Sequence, residues 1–162
     1  MLKNWFFSDQ SIQQKFYDGF AAFGITSDRI ILLPAASDIK EHLCMYQHVD
    51  IALDTFPYNG TTTTCEALWM GVPVVTFTGD RHAGRVGASI LNRIGLSELV
   101  ARDRNDYIDR AVMLAENICQ RPNFRQSIRE CFINSSLFNG ELFTRSFESA
   151  LDKIWSDYKC SK

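Results

Sequence analysis

Four consecutive threonines, Thr61 to Thr64, follow Gly60 and stand directly before a segment with helical character. The first N–H groups of a helix lack intrahelical partners and carry the positive end of the helix dipole, so such an end attracts anions. Threonine hydroxyls add donors to those N–H groups, and Gly60 lets the backbone approach a bulky anion closely. The pattern therefore favours binding of a diphosphate at the start of this helix.

Glu66 lies one turn into the same predicted helix. Its carboxylate could accept two hydrogen bonds from the diol of a ribose, as acidic residues do in dinucleotide sites. A simpler interpretation is that the threonines only cap the helix. One threonine would suffice for a cap, so four in succession favour the ligand interpretation.

Two short apolar runs flank this segment and predict the strands that position it. Ile51 to Leu53 suits a buried strand, and Val72 to Phe77 is a second apolar, β-branched run. Phe56 to Gly60 reads as a turn in which Asn59 and Gly60 tolerate positive φ. The helix should end at Gly71, and Pro73 prevents its continuation. The predicted unit is thus strand, loop, helix, strand.

Similar reasoning assigns the rest of the chain. The predicted helices are Ser11–Phe23, Ser37–Tyr46, Arg85–Ile94, Asp103–Cys119, Pro122–Ile133 and Phe138–Tyr158. The apolar stripe of the first helix is Ile12, Phe16, Phe20 and Phe23. Two further strands are predicted, Arg29–Leu33 and Gly95–Val100. Ser11 and Ser37 are the predicted N-caps of the first two helices. This alternation predicts an α/β fold with a parallel sheet flanked by helices.

Two further loops follow predicted strands. Ligands of open α/β sheets bind beyond the carboxyl ends of the strands, so the loop Pro34–Ser37 should face the same crevice as the threonines. The third loop, Thr78 to Arg85, is polar. Arg85 could hold a phosphate or the loop itself, and of the two we expect loop support. We expect Asp80 and His82 to lie near the site without a catalytic role.

Composition restricts the class of protein. The chain has 162 residues, 46% hydrophobic and 22% charged, which suits one globular domain over residues 1–162. Its formal net charge of −2 gives no electrostatic argument for a nucleic-acid or membrane partner. The five cysteines are scattered without metal-ligand spacing, which indicates reduced thiols and a cytoplasmic location. No apolar run reaches membrane-spanning length, and the first residues do not resemble a signal peptide.

Two stretches carry a resemblance to a known family: the 27 residues from Asp50 to Thr76, DIALDTFPYNGTTTTCEALWMGVPVVT, and Gly79 to Ser89, GDRHAGRVGAS. They resemble the C-terminal catalytic half of the O-GlcNAc transferases, glycosyltransferase family 41, in particular the bacterial members with tetratricopeptide repeats. The resemblance extends from about Leu2 to Trp155. It implies a Rossmann-like sheet that forms the C-terminal, UDP-sugar-binding lobe of a GT-B fold.

The resemblance also implies roles for individual residues. The backbone of Ala36 would contact uracil, Lys40 falls loosely near a base-facing lysine, and His42 matches a histidine that packs near the base. A histidine on a helix surface is the simpler interpretation of His42. Thr62 and Thr63 match phosphate-contacting threonines. The complete predicted UDP-sugar site is Ala36, Lys40, His42, Asn59, Gly60, Thr61, Thr62, Thr63 and Glu66, with Arg85 as loop support and with no metal or other cofactor.

The function implied is binding of a UDP-sugar, UDP-N-acetylglucosamine by family precedent, within an inverting, metal-independent O-linked protein glycosyltransferase. Its partners would be a protein or peptide acceptor and an N-terminal lobe that this sequence lacks. The lysine that stabilises the departing UDP would precede residue 1, so catalysis by this chain alone is not expected. Two alternatives stay open at this point. One is a non-catalytic nucleotide-binding or scaffold remnant, and the other is a different GT-B enzyme, such as a glucosyltransferase, a glycan or lipid glycosyltransferase or an epimerase.

Overall fold

The computed structural model describes residues 1–118 and 123–160. Its contacts divide the chain into two compact units, the N-terminal unit Met1–Val49 and the C-terminal unit Asp50–Lys162. Each is described by itself below. The predicted helix ends at Cys119 and Pro122 lie outside the described residues.

The N-terminal unit contains two parallel strands and two helices. Its elements are β1 (Leu2–Lys3), α1 (Gln10–Ala21), β2 (Leu32–Leu33) and α2 (Ile39–Cys44), and Leu2 pairs with Leu32 in parallel register. Phe7, Ile30 and Leu32 form its buried core, against which Phe16 and Phe20 of α1 pack. Ile12, Phe16 and Phe20 of the predicted apolar stripe thus belong to the core, as expected from their helical spacing.

Three details of this unit differ from the sequence predictions. Asp9, and not Ser11, is the N-cap of α1, because its carboxylate accepts a hydrogen bond from the Ser11 N–H at 2.7 Å. Asp38 likewise replaces Ser37 as the N-cap of α2 by accepting from the Glu41 N–H. Phe23 is 85% exposed, because α1 ends at Ala21 and the helical periodicity does not reach it.

The C-terminal unit carries a parallel three-stranded sheet in the order β3-β4-β5. Its elements are β3 (Ala52–Leu53), α3 (Thr62–Trp69), β4 (Val74–Phe77), α4 (Val86–Arg93), β5 (Val100–Ala101), α5 (Arg104–Asn117), α6 (Phe124–Ile133) and α7 (Gly140–Cys160). Helices α3, α4 and α5 contact the central strand β4. Leu68, Val72, Val75 and Leu91 are fully buried between these elements. The order strand, loop, helix, strand predicted around the threonines is confirmed.

The end of α3 follows the prediction closely. Gly71 adopts a φ of +74°, and the Val72 N–H donates to the Ala67 carbonyl at 2.8 Å. This is the left-handed helix ending for which glycine is preferred. It turns the chain directly into the buried strand β4.

One predicted strand of this unit is wrong in extent, and the last helix has an exposed apolar face. The segment Gly95–Val100 is mostly a 3₁₀ turn, Ser97–Leu99, and the strand begins only at Val100. The predicted C-terminal helix forms as α7, but its apolar side chains are exposed, including Phe143 at 67% and Ile154 at 65%. Among the described residues, no helix is both long and apolar enough to cross a membrane.

Candidate functional site

The threonine loop, residues 54–61, leaves the carboxyl end of β3 and leads into the first turn of α3. Thr61 occupies the N-cap position, and its side chain makes no capping hydrogen bond. Thr61, Thr62 and Thr63 are all exposed. An anion at this helix N-terminus would therefore meet accessible hydroxyls beside the N–H groups of the first turn.

The fourth threonine has a different position. Thr64 is only 3% exposed, and its Oγ1 donates to the Gly60 carbonyl at 2.9 Å. This hydrogen bond ties the first turn of α3 back to the end of the threonine loop. Of the four threonines, three thus face solvent and one holds the loop.

Glu66 is half-buried and lies on the face of α3 that Thr62 and Thr63 share. Residues three and four apart on a helix are neighbours on its surface. Glu66 stands one turn, roughly 5.4 Å, beyond Thr62 along the helix axis. A ligand that places a diphosphate at the helix start could therefore bring an adjoining ribose towards the carboxylate.

Gly60 has a packing role that the sequence did not predict. Neither Asn59 nor Gly60 is among the described residues with positive φ, so the predicted turn conformation is wrong. A Cβ at position 60 would instead lie 2.4 Å from Thr63 Oγ1 and 3.0 Å from Thr64 Oγ1. The glycine leaves room for the threonine side chains of the first turn.

Asn59 lies inside the protein, with 2% of its surface exposed. Its Nδ2 donates to the Thr55 carbonyl at 2.9 Å, and its Oδ1 accepts from the Gly87 N–H at 3.3 Å. Its own N–H donates to the Ala83 carbonyl at 2.8 Å. Asn59 thus joins the threonine loop to the start of α4, and any contribution to ligand binding goes through the shape of the loop.

Asp54, to which the sequence analysis assigned no role, is bonded to both ends of the threonine loop. Its Oδ1 accepts from the Thr55 N–H at 2.9 Å and from the Gly60 N–H at 2.7 Å, and its Oδ2 accepts from Thr76 Oγ1 at 2.7 Å. The Tyr107 hydroxyl donates to the Asp54 carbonyl at 2.9 Å. Burial raises the pKa of the Asp54 carboxyl, and these three donors to the carboxylate oppose the rise. The sequence signal that could have indicated this role of Asp54 was a single acidic residue directly after an apolar strand.

The β4–α4 loop, residues 78–85, adjoins the threonine loop. Arg85 donates from Nε to the Gly79 carbonyl at 3.1 Å and from Nη2 to the Asp80 carbonyl at 2.8 Å. These are the contacts of a residue that supports the loop backbone. Asp80 and His82 are exposed.

A cleft of about 730 Å³ opens beside the start of α3. Its polar part is formed by Thr61, His82, Arg85 and Ser89, and its apolar part includes Ile90, Phe132, Leu137 and Phe138. Cys65 also lines this cleft, and burial raises the pKa of its thiol, with a smaller contribution from the neighbouring Glu66. The thiol is therefore protonated at neutral pH, which does not suit a nucleophile.

The remaining predicted residues belong to the N-terminal unit. Ala36 is half-buried in the loop after β2, and Lys40 is exposed on α2. His42 is half-buried, with its Nδ1 in contact with Lys3 Nζ and its ring 5.8 Å from that of Tyr46 in an edge-on arrangement. A crevice shared by Ala36 and the threonines stays a prediction.

Within residues 1–118 and 123–160 there is no cluster of three or more His, Cys, Asp or Glu side chains that could hold a metal ion. The described cysteines, Cys44, Cys65, Cys131 and Cys160, are free thiols.

Comparison with known proteins finds one family along most of the chain. The model of glycosyl transferase family 41 matches residues 9–147. Two similar relatives are the probable UDP-N-acetylglucosamine–peptide N-acetylglucosaminyltransferases SPINDLY of Hordeum vulgare, 45% identical, and Oryza sativa, 44% identical. Each alignment covers 94% of this chain and 16% of the relative.

A more distant relative and a solved structure agree with this result. The UDP-N-acetylglucosamine–peptide N-acetylglucosaminyltransferase of Caenorhabditis elegans is 33% identical over 84% of this chain and 12% of its own length. A mutant of the Thermobaculum terrenum O-GlcNAc transferase superposes with a TM-score of 0.83 at 36% identity, covering 93% of this chain and 29% of that protein. The chain thus spans about one sixth of the length of its curated plant relatives.

Proposed function

This chain belongs to glycosyltransferase family 41, and from that premise we propose that it forms the UDP-sugar-binding part of an inverting O-linked protein glycosyltransferase. The predicted family and α/β fold class are confirmed. The relatives are named as transferases of N-acetylglucosamine from UDP to peptides, which supports UDP-N-acetylglucosamine as donor and a peptide as acceptor. Those names favour a protein acceptor over the lipid, glycan and epimerase alternatives.

The observation that carries the proposal is the accessible N-terminus of α3. Thr62 and Thr63 are exposed on its first turn, and Glu66 lies on the same face. In the proposed complex the hydroxyls and N–H groups bind the diphosphate, and Glu66 accepts from the ribose diol. The base contacts predicted for Ala36, Lys40 and His42 stay predictions.

The proposed reaction is an inverting displacement. The acceptor hydroxyl oxygen bonds to the anomeric carbon from one side while the bond to the diphosphate oxygen breaks on the other. Negative charge then grows on the departing UDP, where preorganised donors at the helix N-terminus stabilise it. Because the chain covers a small part of its relatives, we propose that it contributes the donor site, and that a further lobe completes the catalytic centre.

The free thiols support the proposed cytoplasmic location.

The phosphate assignment is tested with Thr62→Ala and Thr63→Ala. Each should weaken UDP binding between about threefold and tenfold, since one hydroxyl hydrogen bond is lost while the backbone N–H groups remain. Uridine binding should change little, because uridine has no phosphate. Calorimetry with both ligands measures the ratio of UDP affinity to uridine affinity. Thr144→Ala, on α7, is the matched control. If the two variants lose stability by about 0.5–2 kcal/mol with an unchanged UDP-to-uridine ratio, the threonines only cap the helix.

Metal independence is a separate expectation. The chain has no Asp-x-Asp motif. The groups proposed to bind the diphosphate are threonine hydroxyls and backbone N–H groups rather than a divalent ion. UDP affinity in 5 mM Mg²⁺ or Mn²⁺ should therefore equal the affinity in excess EDTA to within about twofold. A twofold difference in affinity corresponds to about 0.4 kcal/mol of binding free energy. Loss of UDP binding in EDTA and its recovery with Mg²⁺ would contradict this.

GDP in the same titrations tests whether the site prefers a pyrimidine base.

A further inference from the structure

The threonine loop is held by a carboxylate that faces the protein interior. Asp54 accepts hydrogen bonds from the N–H of Thr55 at the start of the loop and from the N–H of Gly60 near its end, both through Oδ1. Its other oxygen accepts from Thr76, a fully buried residue of β4. One side chain therefore closes the loop on itself and ties it to the sheet.

The surroundings are shaped to receive this carboxylate. A Cβ at position 87 would lie 2.4 Å from Asp54 Oδ2 and 2.6 Å from Thr76 Oγ1, so the glycine at the start of α4 makes the space that the carboxylate occupies. Tyr107 of α5 donates its hydroxyl to the Asp54 carbonyl. Elements β4, α4 and α5 thus converge on one residue of the threonine loop.

The same contacts exclude a direct role in binding an anion. A carboxylate repels a diphosphate, and both oxygens of Asp54 are already directed at protein donors. The Gly60 N–H is also committed to Asp54, so it is not among the donors that a diphosphate would use. Holding Gly60 in this place lets its carbonyl accept from Thr64, which fixes the first turn of α3.

From this geometry we propose that Asp54 is a positioning residue that holds the threonine loop and the N-terminus of α3 in the conformation that binds diphosphate. The inference rests on the proposed function of the site and adds to it a residue that does not touch the ligand. It makes a specific statement about chemistry: the acceptor oxygens of Asp54 matter, and its negative charge does not.

Asparagine is the informative replacement. Its Oδ1 can accept from the Thr55 and Gly60 N–H groups, and its Nδ2 can donate to the Thr76 hydroxyl once that hydroxyl rotates to accept. Asp54→Asn therefore keeps the hydrogen bonds and removes the charge, whereas Asp54→Ala removes both. Asp50→Ala, at an exposed aspartate just before β3, is the matched control.

The experiment measures UDP and uridine affinity of these variants by calorimetry. Asp54→Ala should weaken UDP binding about tenfold, the equivalent of one lost hydrogen bond to a charged group, and leave uridine binding nearly unchanged. Asp54→Asn should bind UDP at least as well as the unmodified chain, and Asp50→Ala should match it. Equal weakening of UDP and uridine together with a lower melting temperature would indicate a merely structural role and overturn the proposal. So would a failure of Asp54→Asn to restore binding.

Amide hydrogen exchange gives a second readout that needs no ligand. The Gly60 and Thr55 amides should exchange faster in Asp54→Ala, because their acceptor is gone. The amide of residue 54 itself donates to the Val75 carbonyl in the sheet and should keep its protection. If the unmodified chain binds no UDP, the proposed function fails, and the exchange pattern alone then decides whether Asp54 holds the loop. Unchanged exchange at Gly60 overturns the inference in either case.

Discussion

Gly71→Ala is expected to lower the free energy of unfolding by about 2–5 kcal/mol, from left-handed strain and overpacking together. Gly71 has a φ of +74°, which an L side chain rarely adopts. A Cβ there would also lie 2.4 Å from the Arg125 carbonyl oxygen and 2.9 Å from its carbonyl carbon. These are backbone atoms of α6, which cannot rotate away as a flexible side chain could. The substitution must therefore separate the end of α3 from α6 or distort both.

Gly95→Ala is the matched control for the cost of placing an L residue at a positive φ. Gly95 has a φ of +80°, but nothing lies within 4 Å of the Cβ position. Alanine at this residue should cost only the left-handed strain, about 1–2 kcal/mol. Urea denaturation of both variants, followed by circular dichroism, gives the two free energies of unfolding. Equal losses would show that α6 moves aside at no cost, and the close packing of α3 against α6 would not be a rigid feature of the unit.

The secondary structure around the site was predictable because its signals are local. The apolar run at Ile51–Leu53 and the Gly71 to Pro73 stop each depend on a few neighbouring residues. The structure has β3, α3 and β4 in these places. The exposed α7 shows the limit of such signals, since helical spacing predicts an apolar face but does not say what covers it.

The internal construction of the threonine loop could not be predicted, because it depends on contacts between residues far apart in sequence. The Gly87 N–H donates to the side chain of Asn59, 28 residues away, and Thr76 donates to Asp54, 22 residues away. The Asn-Gly dipeptide is typical of a turn with positive φ. In the structure Asn59 is instead buried and hydrogen-bonded, and the missing side chain of Gly60 leaves room for threonine side chains. A dipeptide carries no information about either partner. Residue type therefore indicated a candidate site at this loop, and tertiary packing shows which side chains hold the loop in place.

Glu66→Ala is expected to weaken UDP binding by about 1–3 kcal/mol, roughly fivefold to 150-fold, as for a lost charged acceptor. Glu66 is half-buried on the face of α3 that carries Thr62 and Thr63, one turn beyond them. A carboxylate there can accept from both ribose hydroxyls, and no other side chain of that turn offers two such acceptors. Uridine should be weakened as much as UDP, since both contain the ribose. This result separates Glu66 from the threonines, whose replacement should affect UDP alone.

The ribose assignment has a control on each side of the contact. On the protein, Glu116→Ala removes an exposed carboxylate from α5 and should leave both affinities unchanged. On the ligand, 2′,3′-dideoxy-UDP lacks the proposed donors, so it should bind the unmodified chain weakly and gain little or no further weakening from Glu66→Ala. Calorimetry on the two proteins and two ligands forms a cycle whose coupling energy is the contact itself. A coupling near zero would mean that Glu66 acts through the fold of α3, because a direct contact with the diol cannot survive removal of the diol.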